Sequence, residues 1–188
     1  MRIYFDTEFT GLHKNTTLIS IGLVDDNDRC FYAEFTDYDE SQCDDWIKEN
    51  VIKNLKHKGA RDIHLKGYNP REDKTWIIGN KQEVYNALYE WLLTYDRIQL
   101  VSDVCHYDMV LLIDIFGSAW DIPSCLNPSC HDINQDIARF YDITESRAFD
   151  ISREEIIKDS GYEVDGEKHN SLYDAKVIRA IYNKLHKY

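Results

Sequence analysis

The sequence predicts an α/β fold in which helices flank one mixed β-sheet. Three short apolar segments near the start of the chain are separated by turn residues, which predicts an antiparallel three-strand meander. Helical segments then alternate with short strands that we expect to join the same sheet in parallel. A chain of 188 residues can bury a sizeable core, so residues 1–188 are expected to form a single domain.

The meander begins with a short buried strand at Ile3–Phe5, which runs into acidic residues. Residues Thr16–Val24 are β-branched and mostly apolar, which predicts the second strand. The acidic segment Asp25–Asp28 has turn composition, and Arg29–Phe35 alternates in polarity as a third strand would. Tight turns between successive strands predict antiparallel pairing.

The segment after the meander is predicted to be an amphipathic helix from Ser41 to Leu55, and it is followed by a basic stretch. The apolar face of this helix is predicted to contain Trp46, Ile47, Val51, Ile52 and Leu55. From Lys53 to Lys81 there are eight Lys or Arg residues against three acidic ones. This basic insertion is either a solvated loop or hairpin, or an arm that contacts a phosphate backbone and offers aromatic rings for stacking.

The middle of the chain has the composition of a helix, a strand and a second helix. Asn80 and Glu83 form a capping-box pattern that predicts a helix reaching Tyr95. Arg97–Val101 is a short apolar strand, and the next helix is predicted from His106 to Phe116.

The last third of the chain is predicted to be mainly helical. Residues Asp121–Cys130 contain two prolines and are expected to form a connector. Short helices are predicted at Ile133–Tyr141 and Ser152–Ser160, and a polar loop at Gly161–Lys168. The apolar spacing of Ser171–Lys187 predicts a final amphipathic helix.

Composition limits the classes of function. The formal net charge is −12, which disfavours a non-catalytic nucleic-acid binder, because such proteins usually carry a basic surface. No apolar run reaches the roughly 18 residues of a membrane span, and the acidic start does not resemble a signal peptide. We therefore expect a cytoplasmic protein that does not bind membranes.

The five cysteines are expected to be reduced thiols, because their number is odd and their spacing irregular. Cys125, Cys130 and His131 are close enough in sequence to suggest a zinc site. They lack a second nearby Cys/His pair, so zinc is not predicted there.

Acidic residues occur at the ends of several predicted elements. Asp6 and Glu8 are two apart at the end of the first strand, so their side chains share a face. Either this strand end is simply solvated, or a cation lies between the two carboxylates. Asp108 and Asp174 each fall in the first turn of a helix, and His169 precedes Asp174 by five residues. An acidic residue in a first turn is favourable in any helix, so neither is diagnostic alone.

Taken together, the three acidic motifs resemble those of the DnaQ-like 3′–5′ exonuclease superfamily of the DEDDh branch. The matching segments are Asp6-Thr-Glu8-Phe-Thr-Gly-Leu12, Ser102 to Asp108, and His169-Asn-Ser-Leu-Tyr-Asp174-Ala175. The order and structural context make the joint match specific. Within this superfamily the sequence looks closest to the RNase AS group, which prefers polyadenylate. The resemblance implies an RNase H-like fold.

The resemblance also implies a cofactor and residue roles. Oxygen ligands suit two Mg²⁺ ions, with Mn²⁺ as a substitute. Asp6 would bridge both ions, Glu8 and Asp174 would hold the ion that binds the attacking water, and Asp108 would hold the second, partly through water. His169 would be the general base, since an imidazole accepts a proton at neutral pH.

The implied activity is removal of nucleoside 5′-monophosphates from the 3′ ends of single-stranded RNA, with RNA expected over DNA. A DNA exonuclease of proofreading or repair type and a catalytically inactive adaptor are the alternatives. Phe9 and Leu12 are candidate wedges against the terminal bases, and core packing is their other possible role. Thr7 and Tyr107 are further candidate contacts, although Tyr107 would also suit packing under Asp108. A homodimer is implied only because similar proteins are dimers.

Overall fold

The computed structural model describes residues 1–56, 69–158 and 161–186. In this part of the chain, the strands are β1 (Arg2–Phe9), β2 (Leu18–Asp25), β3 (Cys30–Phe35), β4 (Lys74–Gly79), β5 (Ile98–Ser102) and β6 (Leu126–Asp132). The helices are α1 (Asp45–Asn50), α2 (Lys81–Leu92), α3 (His106–Phe116), α4 (Ile133–Tyr141), α5 (Glu145–Asp150), α6 (Arg153–Lys158) and α7 (Ser171–Leu185). None of these helices combines the length and the apolar character that a membrane span requires.

The six strands form one mixed sheet in the order β4-β3-β2-β1-β5-β6. Strands β1, β2 and β3 pair antiparallel, so the predicted meander is confirmed. Strand β5 pairs in parallel with β1, β6 in parallel with β5, and β4 in parallel with β3. The predicted fold class, an antiparallel meander extended by parallel strands and flanked by helices, is therefore correct.

Both edge strands lie in segments that were expected to be irregular. Strand β4 belongs to the basic stretch that we predicted as a loop or hairpin, and its apolar residues pair along β3. Strand β6 lies in the proline-containing segment that we predicted as a connector. Edge strands need little apolar surface and tolerate proline, so neither segment has the composition of a central strand. Residues 57–68 of the basic stretch lie outside the described residues.

The predicted helix from Ser41 to Leu55 is wrong in extent. A turn of 3₁₀ helix at Glu40–Gln42 precedes α1, and another at Ile52–Asn54 follows it. The Asp44 side chain caps α1 by accepting a 2.8 Å hydrogen bond from the Ile47 N–H, so the helix begins after it. Helix α5 was not predicted, whereas α2, α3, α4 and α7 begin where the sequence placed them.

Two apolar layers pack on opposite faces of the sheet. Ile3 and Phe5 lie in the layer that contains α2 and α3. Tyr4 lies in the other layer, which contains α4 and α7. Because successive strand residues alternate between faces, Asp6 and Glu8 share the face of Tyr4 and α7, whereas Thr7 shares the face of α3.

Helix α7 lies unusually close to the sheet at its N-terminal end. A Cβ atom on Gly22 would lie 2.3 Å from the backbone nitrogen of Leu172, so only glycine allows this approach. The hydroxyls of Ser20 and Ser171 are 2.9 Å apart at the same contact. Gly22 pairs with Asp6 across the meander, so the close contact brings the first turn of α7 to the acidic end of β1.

Candidate metal and catalytic site

A cavity of about 790 Å³ opens where β1 ends against α7. Seven of the nine residues predicted for the site line it: Asp6, Thr7, Glu8, Phe9, Leu12, His169 and Asp174. The pairing of β1 with β2 shifts between Glu8 and Phe9, so the strand leaves the regular ladder just after the acidic pair. Asp108 and Tyr107 lie beside the cavity rather than in its wall.

The first turn of α7 brings Asp174 and His169 to the acidic pair. Asn170 caps the helix, and its side-chain oxygen accepts from the Tyr173 N–H. The His169 N–H donates to Oδ2 of Asp174 at 2.9 Å, and His169 has a φ of 62°, a left-handed conformation that turns the chain into the helix. Possible ligand atoms of Glu8, His169 and Asp174 all lie within 4.8 Å of one another.

Asp108 reaches the site from the opposite side of β1. Its Oδ1 accepts from the Thr7 N–H at 3.1 Å and from the Thr7 hydroxyl at 2.5 Å, and its Oδ2 accepts from the Ser102 hydroxyl. The pairing of β5 with β1 extends only to Tyr4 and Val101. Beyond that point the Thr7 N–H has no partner in β5, which leaves it available to Asp108.

Burial and mutual repulsion disfavour the charged forms of these carboxyl groups. Burial raises the pKa of Glu8 to about 8, and the charges of Asp174 and Asp108 add to the effect. Burial raises the pKa of Asp174 to about 7, against the opposing effect of the His169 N–H. Burial, followed by repulsion from its acidic neighbours, also places the pKa of Asp6 well above its usual value.

The pKa of Asp108 is raised by burial to only about 6. Hydrogen bonds from Ser102 and Thr7 favour its charged form and oppose the burial effect. Asp108 is therefore held closer to its anionic form than Glu8 or Asp174.

The donor set fits hard divalent cations. Among residues 1–56, 69–158 and 161–186, no lysine or arginine forms an ion pair with Asp6, Glu8, Asp108 or Asp174. Carboxylate oxygens supply nearly all the ligand atoms, which suits Mg²⁺ or Mn²⁺ better than zinc. Cations bound between the carboxylates would offset their repulsion and lower the raised pKa values.

His169 has the environment of a base. Burial lowers its pKa, and the nearby Lys168 charge adds to this effect, so the ring is neutral at pH 7 and can accept a proton. The Trp46 ring contacts it edge-on, with the ring centroids 5.0 Å apart. This contact limits the directions in which the imidazole can turn.

The candidate substrate contacts differ in their exposure. Leu12 is 77% exposed at the mouth of the cavity, so its side chain is accessible from solvent. Phe9 is half-buried, and its ring stacks on that of Tyr107 with the centroids 5.3 Å apart. For both rings the structure therefore shows packing, which was the alternative to a substrate contact. Thr7 is only 4% exposed and bonds to Asp108, which leaves it little contact with a substrate.

The structure adds two aromatic residues to the cavity that the sequence analysis did not select. Trp46 was predicted on the buried face of a helix, but it is 54% exposed and lines the cavity. Phe149, from the unpredicted helix α5, is 60% exposed and also lines it. Trp46 and Phe149 reach the cavity because of how distant segments meet at the end of β1, and no local pattern in the sequence predicts that meeting.

An ion pair secures the wall that carries Phe149. Asp103 accepts two hydrogen bonds from the Arg153 guanidinium, at 2.5 and 2.8 Å. The other donors of Arg153 bond to the backbone oxygens of Ala148 and Ile151 and to Oδ1 of Asn134. All five N–H groups of Arg153 are thus used, and α5 is tied to the loop that precedes α3.

Comparisons with known proteins identify the family of the chain. Residues 1–185 match the model of the Rv2179c-like 3′–5′ exoribonuclease domain. The chain belongs to this family. It is 27% identical over 137 residues to the 3′–5′ exoribonuclease Rv2179c of Mycobacterium tuberculosis strain H37Rv, a match that covers 72% of this chain and 73% of the relative.

Solved structures share the fold of this exoribonuclease family member at low sequence identity. The nuclease domain of 3′hExo, a DEDDh family member bound to rAMP, superimposes with a TM-score of 0.61 at 14% identity, covering 96% of this chain and 88% of that one. Pop2p of S. pombe in its Mg²⁺- and Mn²⁺-bound form gives a TM-score of 0.59 at 15% identity, covering 96% and 81%. The predicted DnaQ-like family, RNase H-like fold and 3′–5′ exonuclease class are confirmed.

The raised pKa values predict how the stability of the metal-free protein depends on pH. Unfolded carboxyl groups have pKa values of about 4, so between about pH 4 and 8 the folded state binds more protons and stability falls as pH rises. Urea unfolding in EDTA should therefore give a free energy of unfolding that decreases from pH 5 to pH 8. Glu8→Gln should flatten this decrease, because it removes the group with a pKa of about 8.

Glu49→Gln is the matched control, because Glu49 is exposed on α1, and it should leave the slope unchanged. Mn²⁺ should restore more stability at pH 8 than at pH 5, since it binds the charged carboxylates. A slope in EDTA that is the same for wild type and Glu8→Gln would contradict the assignment.

Proposed function

We propose that this protein is a metal-dependent 3′–5′ exoribonuclease that releases nucleoside 5′-monophosphates from single-stranded RNA by phosphodiester hydrolysis. The observation that carries the proposal is the convergence of Glu8, His169 and Asp174 within 4.8 Å in a cavity shared with Asp6. The name of the family and the exoribonuclease named among its relatives support the choice of RNA. A homodimer stays a prediction from the resemblance, and a cytoplasmic location stays a prediction from the composition and the N-terminal sequence.

The four carboxylates would hold two divalent cations, Mg²⁺ or Mn²⁺. Asp6 would contact both, Glu8 and Asp174 the one on the side of His169, and Asp108 the other. When bound, such a pair stabilises the entering and leaving oxygens of an in-line displacement at phosphorus. The first turn of α7 adds the positive end of its helix dipole beside these anionic groups.

His169 would remove the proton from the attacking water. Its lowered pKa keeps a ring nitrogen unprotonated at neutral pH, which is what a general base requires. The hydrogen bond from its own N–H to Asp174 fixes the backbone beside the carboxylates, and Trp46 limits the ring from the other side. The base is thus held by two residues that already line the cavity.

Exposed apolar side chains at the mouth would hold the terminal nucleotides. Leu12, Trp46 and Phe149 are each more than half exposed and line the cavity from different segments of the chain. Stacking on such residues tolerates any base, which is appropriate for an enzyme that removes successive nucleotides.

Substitution of His169 tests the proposed base. With 5′-labelled 20-mer RNA and Mg²⁺, the wild type should produce a ladder that shortens by one nucleotide at a time from the 3′ end. His169→Ala should lower the rate by about 10²- to 10⁴-fold, because a general base contributes that much. Asp174→Asn should abolish shortening, since it removes a cation ligand.

His106→Ala, which alters an exposed histidine at the start of α3, is the control and should retain full activity. An unchanged rate in His169→Ala would contradict the assignment of the base. A matched DNA 20-mer separates the alternatives, because faster shortening of DNA would favour the proofreading type. RNA that binds in Mn²⁺ but is never shortened would favour an inactive adaptor.

Substitution of Trp46 tests the proposed base contact. Trp46→Ala should raise KM for the RNA 20-mer by roughly 5- to 150-fold, the range that loss of one stacking contact corresponds to. Trp120→Ala is the matched control, because Trp120 is 95% exposed but does not line the cavity. Equal KM values for the two variants would exclude Trp46 from substrate binding.

A further inference from the structure

Asp108 is held differently from the other carboxylates of the site. Three donors, namely the Thr7 N–H, the Thr7 hydroxyl and the Ser102 hydroxyl, bond to its two oxygens. Among the described residues, Asp6 and Glu8 accept no hydrogen bond, and Asp174 accepts one, from the His169 N–H. Asp108 therefore has its orientation fixed by the protein, whereas the other three keep most of their acceptor capacity for cations.

The geometry of these bonds leaves Asp108 little freedom. A carboxylate has roughly four acceptor positions, and three of those on Asp108 are occupied. Thr7 is 4% exposed and Ser102 is fully buried, so water cannot replace either hydroxyl. The acceptor position that remains is on Oδ2, because Oδ1 accepts both bonds from Thr7. The hydroxyls of Thr7 and Ser102, which come from separate strands, fix its direction. Asp108 can therefore reach a cation or its bound water through only this oxygen.

The backbone is shaped to make this arrangement. Ser102 is the last residue of β5, and Val104 has a φ of 56°, a left-handed conformation that a β-branched residue rarely adopts. This turn reverses the chain, so that Asp108, in the first turn of α3, faces back toward Ser102. On β1, alternation places the Thr7 hydroxyl on the face of α3, opposite to Asp6 and Glu8. Two unrelated local conformations thus deliver hydroxyl groups to the same carboxylate.

We infer that Thr7 and Ser102 are positioning residues that orient Asp108 for one of the two cations. Both hydroxyls are bonded to Asp108 and would act on the cation through it. Their hydroxyls set the direction in which Asp108 presents its free acceptor position, as residues behind a ligand do in other metal sites. Thr7, which lies between Asp6 and Glu8, thus belongs to the metal site and not to the substrate site.

The two substitutions at Thr7 separate a hydroxyl effect from a packing effect. Thr7→Val keeps the shape and removes the hydroxyl, whereas Thr7→Ser keeps the hydroxyl and removes a methyl group. Calorimetric titration of each metal-free variant with Mn²⁺ should show that Thr7→Val weakens one of two sites by about 10- to 100-fold and leaves the other unchanged. Thr7→Ser should bind Mn²⁺ as the wild type does, and Ser102→Ala should behave like Thr7→Val.

Turnover of the RNA 20-mer provides the second readout. Thr7→Val should lower kcat by a similar factor and change KM by less than about twofold, because a displaced Asp108 affects chemistry and not base contacts. Only this readout rests on the proposed function, so a protein that binds Mn²⁺ as described but does not cleave RNA would refute the function and not the positioning. Wild-type Mn²⁺ binding in both Thr7→Val and Ser102→Ala, or equal losses in Thr7→Val and Thr7→Ser, would overturn the inference.

Discussion

Four carboxyl groups are buried together at the end of β1, where they disfavour one another's charged forms, and the packing around them keeps them in place. Burial raises their pKa values, and the charges of Asp108 and Asp174 raise those of Asp6 and Glu8 further. No lysine or arginine in the described part of the chain forms an ion pair with them, although the charge of Lys168 partly favours the anionic form of Asp174. A fold that maintains such a cluster without an ion-paired basic residue is suited to hard cations, which is why we propose a cation site there.

The sheet and two helices hold the cluster together by separate means. Alternation along β1 sends Asp6 and Glu8 to one face and Thr7 to the other. Gly22 lets α7 approach the first face closely enough to deliver Asp174 and His169. On the second face, the turn after β5 delivers Asp108 to the Thr7 hydroxyl. Substitutions at Gly22 or Thr7 would therefore displace a candidate ligand without altering the ligand itself.

Much of this arrangement follows from local rules in the sequence. Because strand residues two apart share a face, the sequence places Asp6 beside Glu8. The predicted helix starts place Asp108 and Asp174 in the first turns of their helices. The features that were not predicted are those whose structure depends on contacts with distant parts of the chain. Edge strand β6 has the composition of a connector, and its strand identity depends on pairing with β5. Trp46 was predicted on the same apolar face as Ile47, but only Ile47 is buried in α1, and the Trp46 ring lines the cavity.

Anomalous diffraction from crystals soaked in Mn²⁺ is the sharpest test of the proposed cation site, because it locates the cations without reference to activity. We expect two anomalous peaks in the cavity, both beside Asp6. One should lie within coordination distance of Glu8 and Asp174, and the other on the side of Asp108. Strong Mn²⁺ peaks elsewhere in the molecule and none beside Glu8 and Asp174 would contradict the proposed cation site.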